Sequence, residues 1–434
     1  MKVRFVILTL FMSVSFISLA TETRANEDTI RLSLNGAKEY AILHNINITN
    51  AELGVIQAQH QLRETIARGL PQVDATLDYS NFFGSSAELE LMPGMEIKFT
   101  PTSNASLTVS QLIYSRSYSV GVQIASLYKK VMEASQHKTE LEIKSQVAQA
   151  YLLLLVAEES SQILAANLKN LEKIALQTKT MVEFGVAEQV DYDQLRVQIA
   201  MLADAVRSAE RQSELAMNML RLQLGVSAST PLALTDNIET IVKNVDFLHS
   251  LNTPLTHSEN PDFRQLELQS QMADKQVKLE KGAYHPTVAG FYNYTEKILK
   301  PEFDLTPKHV IGVNVSVPIF SSGARRAKVA QARNNSQVVH NQIDLLSQQL
   351  SIQEKQLKFN LSTALDQYRS QSENLEVAGR VYESINNKYN QGVVSSMNLV
   401  TANNNLLQAQ NSYISALLQL AQAQVELEKL LNLL

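Results

Sequence analysis

The side chains that could do chemistry in this 434-residue chain are sparse, and the clearest candidates are two carboxylates beside a glycine turn. Asp191 and Asp193 follow Gly185 closely, at the point where a helix would begin after the turn. A carboxylate in the first turn of a helix is stabilised by the helix dipole, by about 0.3 to 1 kcal/mol. That structural role is one interpretation of Asp191, and a functional role is the other.

No constellation typical of catalysis or metal binding appears in the sequence. The eight histidines are dispersed, and we expect ordinary surface positions for His44, His60, His137 and His340. Cysteine is absent, which excludes disulfides, thiolate metal sites and a lipidated cysteine. Phosphate-loop, nucleophile-elbow and dinucleotide-binding glycine motifs are missing too. We therefore predict no enzymatic activity, no metal and no cofactor.

The elements that position these residues occur twice in the chain. Leu70–Val73 returns as His285–Val288, and Phe184–Val186 returns as Gln391–Val393. The matching segments keep nearly the same spacing in both copies, which indicates an internal duplication. We predict a signal peptide at 1–25, a first structural repeat at 26–229 and a second at 230–434.

The N-terminus has the layout of a secretory signal peptide. Lys2 and Arg4 precede an uncharged run from Phe5 to Leu19, with small residues at Ala20 and Ala25 as alternative cleavage positions. The alternative is a retained membrane anchor, but the run is shorter than the ~20 residues of a spanning helix. The net charge of −5 does not suit nucleic acid as a partner.

Four segments alternate apolar and polar residues, which is the period of a β-strand with one apolar face. They lie at about 72–83, 97–113, 287–296 and 308–318. About ten alternating residues would span an outer membrane, with an aromatic girdle at the interface. Candidates for that girdle are Tyr79, Phe82, Phe83, Tyr292 and Tyr294. The alternative is an amphipathic sheet covered by helices in a soluble domain.

Four strands leave two open edges. Each unpaired backbone group costs several kcal/mol in lipid, so a single copy cannot lie in a bilayer, and the chain must oligomerise. Two copies would give eight strands and three would give twelve, and both numbers can close.

Long helical hairpins are predicted at about 115–225 and 322–434, because apolar residues recur there at the spacing of a coiled coil. Gly379 interrupts the less regular ascending helix of the second hairpin, and we expect a local irregularity there. One further helix per repeat covers Ile46 to Arg68 and Asn260 to Lys281, and Leu232 to Pro261 is expected to be an irregular connection. The fold class is mainly α with a small β part, a sheet continued by helices around a polar hollow.

The second hairpin tip resembles the signature of the TolC-type outer-membrane efflux channels. The resemblance rests on the spacing of Tyr389, Gly392, Ser395, Asn398, Leu399, Ala402, Leu406, Ala409 and Gln410, and on the duplicated layout from Leu32 to Leu434. It implies a homotrimer, with twelve strands in an outer-membrane β-barrel and twelve helices in a long periplasmic α-helical barrel.

The resemblance also assigns candidate site residues. Asp191 matches an acid of the periplasmic constriction, and Tyr389 matches a tip tyrosine that can bond to it. Asn398 and Thr401 stand where some members carry aspartates, and Asp193 is a further candidate acid. The tips themselves are expected to contact a periplasmic adaptor through Gly185, Val186, Ala187, Gly392, Val393 and Val394.

The predicted function is a passive outer-membrane exit channel of a tripartite efflux or type I secretion system. Its partners would be outer-membrane lipid, an adaptor and an inner-membrane pump of the resistance-nodulation-division or ABC type. Opening would move the tips around Gly185 and Gly392 outward. The alternative function is a periplasmic coiled-coil tether without a pore.

Overall fold

The computed structural model of the chain describes residues 29–81, 83, 86–88, 96–98, 100–300 and 306–434. The predicted signal peptide, Phe82 and parts of the two predicted loops between strands lie outside the described residues. Within the described part, two very long helical hairpins continue a small antiparallel sheet. The predicted fold class, mainly α with a small β part, is confirmed.

The described strands are short apart from four that form one sheet. In chain order they are β1 Ile30–Leu32, β2 Gln72–Ser80, β3 Ser86–Glu88, β4 Glu96–Lys98, β5 Thr102–Ser115, β6 Leu232–Leu234, β7 Thr287–Leu299 and β8 His309–Ser316. β2 ends before the predicted 83, since Phe83 has a φ of 50° and turns the chain. β8 ends two residues before Pro318, whose nitrogen carries no hydrogen for a ladder bond.

The helices account for most of the remaining described chain. They are α1 Leu34–His44, α2 Ile46–Ala67, α3 Arg116–Glu183, α4 Gln189–Leu224, α5 Ile238–Lys243, α6 Phe247–Asn252, a 3-10 helix His257–Glu259, α7 Pro261–Gly282, α8 Ala324–Asn390 and α9 Ser396–Leu430. Among them, none combines the length and the apolar character that crossing a membrane would need.

The main sheet is antiparallel throughout, in the order β2-β5-β7-β8. Its register aligns residues of like polarity, so that one row crosses the sheet through Val73, Val109, Tyr292 and Ile311. The resulting apolar face is open to solvent in the single chain, with Ile311 85% exposed. No other described strand pairs with the outer side of β2 or of β8.

The long helices form one layer in the same order as the strands. Next to the sheet, α2 packs on α3, α3 on α7 and α7 on α8; towards the tips, α4 packs on α3, α3 on α9 and α9 on α8. Each strand of the sheet continues from or into one of the helices beside it, β2 after α2, β5 before α3, β7 after α7 and β8 before α8. The layer therefore ends in α2 and α4 on one side and in α8 on the other.

A compact belt wraps the middle of the helices, and it corrects one expectation. The belt consists of β1, α1, β6, α5 and α6, with β1 parallel to β6 and Ile30 opposite Leu232. The sequence predicts an irregular connection from Leu232 to Pro261, and this prediction is wrong. The connection contains β6, α5 and α6; β6 pairs with β1 at the start of the described chain, and the short helices pack on α9 and α3.

One tyrosine fastens the belt to α3. Tyr151 is fully buried, and its hydroxyl donates to the carbonyl oxygen of Leu32 at 3.0 Å and lies 3.1 Å from Oδ2 of Asp236. The same Asp236 oxygen accepts from the backbone nitrogen of Leu34 at 2.6 Å. Burial, together with the nearby Asp236 charge, raises the pKa of Tyr151, which keeps the phenol protonated. The two chain segments that form the belt, the one around Leu32 and the one around Asp236, are thus bonded to the same side chain.

The expected irregularity at Gly379 is also wrong. α8 runs unbroken through this residue, and a side chain added there would meet open space. A single glycine costs a helix only about 1 kcal/mol, which packing along a hairpin of this length outweighs.

Gly225 ends α4 and carries a testable constraint. Its φ is +74°, and an added Cβ would lie 2.4 Å from the carbonyl oxygen of His44. We expect Gly225→Ala to lower the free energy of unfolding by at least ~2 kcal/mol, because of left-handed strain and this overlap with backbone. The matched control is Gly54→Ala inside α2, where nothing lies within 4 Å; it should be neutral or stabilising by up to about 1 kcal/mol. Thermal unfolding of the detergent-purified variants measures both, and equal losses would contradict this account.

Candidate functional site at the hairpin tips

The two hairpin tips share one turn geometry. Gly185 and Gly392 have φ of 73° and 75°, a left-handed conformation that glycine adopts without strain. In each turn the residue after the glycine donates its N–H back into the ascending helix, Val186 to Met181 at 2.8 Å and Val393 to Lys388 at 2.9 Å. These bonds satisfy the carbonyls that a helix end leaves free.

The tips present apolar side chains to solvent. Val186 and Val393, two of the predicted contact residues, are 77% and 68% exposed. Phe184, which precedes Gly185, is 79% exposed and was missed by the sequence analysis. Ala187 is half-buried, and Val394 packs against the apolar interior of the tip.

The interior of the tips is a separate apolar cluster that contains Tyr389. Tyr389 is 4% exposed and lies among residues of all four long helices, including Leu171, Leu195 and Leu399. Its hydroxyl is 3.2 Å from Oγ1 of Thr178. Within one chain the predicted bond from Tyr389 to Asp191 is therefore not formed, because the phenol is held inside the tip by α3.

The predicted acids occupy two environments. Asp191 is half-buried in the first turn of α4, where it lines a narrow crevice between α4 and α9 with Gln198, Ser396 and Val400. Asp193 is exposed and accepts from Nε2 of Gln189 at 3.1 Å.

The remaining predicted residues lie on α9. Asn398 and Thr401 are exposed, and the hydroxyl of Thr401 donates to the carbonyl oxygen of Met397 at 2.8 Å. A single chain therefore does not bring the predicted constriction residues together: Tyr389 points inward, Asp191 lines the crevice, and Asp193, Asn398 and Thr401 face outward.

A line of neutral polar contacts joins the first hairpin to the second, and the sequence analysis missed it. We call it the polar ladder; its steps are Asn167 with Gln410 at 3.3 Å, Asn170 with Tyr382 at 2.6 Å and with Asn403 at 3.2 Å, and Thr178 with Tyr389 at 3.2 Å. Asn167 and Asn403 are buried. The available signal was a pair of asparagines set among the leucines of the α3 seam.

Comparison with known proteins identifies the family. The profile described as "Outer membrane efflux protein" matches residues 39–226 and 254–433, which is most of the chain and includes both hairpins. The chain belongs to the outer membrane efflux protein family. This family consists of channel proteins, not of enzymes.

Individual relatives agree with this membership. The chain is 24% identical over 429 residues to the pyoverdine export outer membrane protein OpmQ of Pseudomonas aeruginosa, covering 92% of this chain and 85% of the relative. It is 22% identical over 368 residues to the outer membrane protein TolC of Vibrio cholerae, covering 82% of each. The solved structure of CusC has a TM-score of 0.76 at 17% identity and covers 92% of this chain and 91% of that one.

Membership of the outer membrane efflux protein family confirms three sequence predictions. The resemblance to TolC-type channels is correct, the location is the outer membrane, and the function is that of an efflux exit channel. It favours this function over the alternative of a coiled-coil tether without a pore.

The buried pair of Thr178 and Tyr389 makes a testable contribution to tip stability. We expect Thr178→Val and Tyr389→Phe each to loosen the tip by about 1 to 3 kcal/mol, because each removes the hydrogen bond between the two hydroxyls and leaves Tyr389 or Thr178 without its oxygen partner; the Tyr389 hydroxyl would keep only its weak contact with Sδ of Met181 at 3.8 Å. The double variant should cost less than the sum, with a coupling of about 1 kcal/mol. Hydrogen exchange of the amides at the end of α3 measures these local stabilities.

Thr180→Val is the matched control for that cycle. Thr180 is exposed and its hydroxyl bonds only to the carbonyl oxygen of Leu176 in its own helix. It should change the exchange rates little. Strictly additive single effects of Thr178→Val and Tyr389→Phe would show that the two hydroxyls do not interact.

Proposed function

We propose that three copies of this chain close one continuous duct, a twelve-stranded barrel in the outer membrane followed by a periplasmic tunnel of helices. Substrates would leave the cell through it without any energy supplied by the duct itself. The observation that carries the proposal is that the sheet and the helical layer have the same order and end on the same two sides.

The sheet is the part of the chain that requires several copies to close into a ring. One face is a continuous apolar surface suited to lipid, while the outer sides of β2 and β8 lack partners among the described strands. In a bilayer every such backbone group costs several kcal/mol, which pairing of β2 with β8 of the next copy would remove. Three copies of four strands give the twelve that the family resemblance implies.

The helices offer matching surfaces on the same two sides. On α8, exposed apolar residues recur every seven positions, at Val338, Leu345, Ile352 and Phe359. On the opposite side of the layer, exposed pairs with the same spacing are Ile46 and Leu53 on α2, Val190 and Val197 on α4, and Leu215 and Leu222 on α4. Apolar residues at this spacing are those of a coiled-coil seam, so α8 of one copy would pack on α2 and α4 of the next.

A polar groove between α8 and α9 suits the inside of such a duct. Amides and hydroxyls line it, at Gln367, Gln371, Asn404, Gln408, Asn411, Ser412, Ser415 and Gln419. Tyr413, whose hydroxyl contacts Glu239 of the belt, projects from the other side of α9. The belt would therefore lie outside the tunnel and the groove inside it.

The tips are the proposed gate and the proposed docking point. Asp191, Asp193, Asn398 and Thr401 would line the constriction, and Tyr389 would support it from within. A periplasmic adaptor would contact the exposed apolar tip residues, and an inner-membrane pump of the resistance-nodulation-division or ABC type would supply the energy. Opening would carry the tips outward about the turns at Gly185 and Gly392.

Oligomer formation tests the closure. We expect Ile352→Asp to abolish or strongly reduce the trimer, because a charge would be buried in the seam between copies. Gln162→Asp is the matched control, since it adds the same charge at an exposed position of α3, which lies inside the helical layer and not at its edge. Light scattering and native mass spectrometry in detergent give the stoichiometry. A wild-type monomer, or equal loss in both variants, would contradict the proposal.

Ion conduction tests the gate. Purified protein in a planar bilayer should conduct weakly, and the double variant Asp191→Ala with Tyr389→Ala should conduct several-fold more, because the tips would be held together less tightly. Asp204→Ala, on the exposed face of α4 far from the turn, should behave like the wild type. Protein that never conducts, even in the double variant, would rule out a channel.

A further inference from the structure

A groove rich in positive charge lies where the helices meet the sheet, between the end of α7 and the start of α8. The segment 306–343 contains no Asp or Glu, yet it carries Arg325, Arg326, Lys328 and Arg333. Across from it, Lys278 and Lys281 are exposed on the last turns of α7.

Contacts between the two helices fix the level of these side chains. Near the sheet, the guanidinium of Arg325 lies over the ring of Tyr284, 5.3 Å from its centre. Further down, the hydroxyl of Ser336 donates to Oδ1 of Asp274 at 2.6 Å. Because the helices are antiparallel, Lys278 lies at the level of Arg333, and Lys281 lies nearer the sheet.

Helical periodicity fixes the faces. Lys278 and Lys281 follow Asp274 by four and seven residues, so they lie on the face of α7 that adjoins α8. Arg326 and Arg333 precede His340 by fourteen and seven residues, and His340 contacts α7, its Nδ1 lying 3.2 Å from the hydroxyl of Ser270. Four basic side chains, those of Lys278, Lys281, Arg326 and Arg333, therefore line one groove.

The same stripe of α8 leads down to the outer side of the layer. One further heptad below His340 is Ser347, whose carbonyl oxygen lies 3.2 Å from Nε2 of His257 in the segment that follows the belt. Arg326 and Arg333 thus lie on the side of the helices that carries the belt, the outer side of the proposed tunnel.

The acids nearby do not neutralise the groove. Asp274 closes its lower end and is engaged by Ser336 and by His340, whose Nε2 is 3.4 Å from Oδ1. Glu280 is the acid within the last turns of α7, and it accepts from Nε2 of Gln276 at 3.2 Å. Four bases against Glu280 leave a net positive surface.

Exposed apolar side chains stand at the upper end of the groove. Ile319 and Phe320 are 90% and 84% exposed, and they continue from the apolar face of the sheet. Arg325 holds this segment against α8, since its Nη1 donates to the carbonyl oxygen of Pro318 at 2.8 Å and its Nε to the hydroxyl of Ser321 at 3.1 Å. Apolar side chains directly above a row of bases form the pattern of a bilayer interface.

We propose that this groove binds the phosphate of an anionic phospholipid in the periplasmic leaflet of the outer membrane. Ile319 and Phe320 would enter the acyl region, while Lys278, Lys281, Arg326 and Arg333 hold the headgroup. This contact would add to the hold of the apolar sheet face on the membrane, at its periplasmic side. The inference rests on the outer-membrane location and does not depend on gating at the tips.

Native mass spectrometry of the detergent-purified oligomer tests the site with phosphatidylglycerol and phosphatidylcholine at equal concentration. We expect bound phosphatidylglycerol to predominate. The double variant Arg326→Gln with Arg333→Gln should lower the ratio of bound phosphatidylglycerol to bound phosphatidylcholine about five-fold for each charge removed. The reason is that each basic side chain near an anionic surface contributes about 1 kcal/mol. All four bases replaced by Gln should abolish the preference.

The matched control is Arg211→Gln with Arg369→Gln, which removes two exposed arginines far from the sheet and should leave the preference unchanged. Equal binding of both lipids by the wild type would overturn the proposal, and so would equal losses in the test and control pairs. Displacement of phosphatidylglycerol by an equal concentration of inorganic phosphate would show a simple anion site and overturn the assignment to lipid. Circular dichroism and oligomer mass verify that each variant is folded, independently of channel function.

Discussion

The unpaired backbone along β2 and β8 is the constraint on which the rest of the structure depends. Water can satisfy those groups and lipid cannot, so a sheet with one lipid-facing apolar surface is stable in a membrane only when its edges meet other strands. The collinear order of strands and helices carries this requirement into the periplasmic part. An edge that closes at β2 and β8 also brings α8 to α2 and α4, where the exposed apolar heptads lie.

The belt solves a different problem, that of holding a thin helical layer in one arrangement. A single layer of helices buries little apolar surface, and the largest core cluster lies where the belt covers α3 and α9. Tyr151 and Asp236 join the backbone at Leu32 and Leu34 to α3, so the start of the described chain and the connection between repeats are fixed together. The largest buried core of the described chain thus lies in its middle.

Much of the fold could be predicted from the sequence, because its signals are local and periodic. The alternation of apolar and polar residues predicts the four strands, and the heptad spacing of apolar residues predicts the helical hairpins. The turns at Gly185 and Gly392 are evident because the same short segment occurs in both repeats. The belt could not be predicted in this way, since β1 and β6 are three residues each and pair across some two hundred positions. The partner of Tyr389 was missed for a related reason, because the helix that meets it depends on the supercoil of the whole hairpin.

Hydrogen bonding at the tips is incomplete, as it is also at Gln424 beside the belt, whose Oε1 is buried without a partner among the described residues. Nδ2 of Asn403 and Oε1 of Gln198 are buried without a hydrogen-bond partner in the described part of the chain, and each such atom costs about 1 to 3 kcal/mol. Gln198 lines the crevice beside Asp191, so water entering between α4 and α9 would recover that energy. The polar ladder includes Asn403, whose Oδ1 accepts from Asn170, and its contacts between the two hairpins resist their separation. If the tips open as proposed, we expect them to part along the crevice, with the Tyr389 interior kept intact.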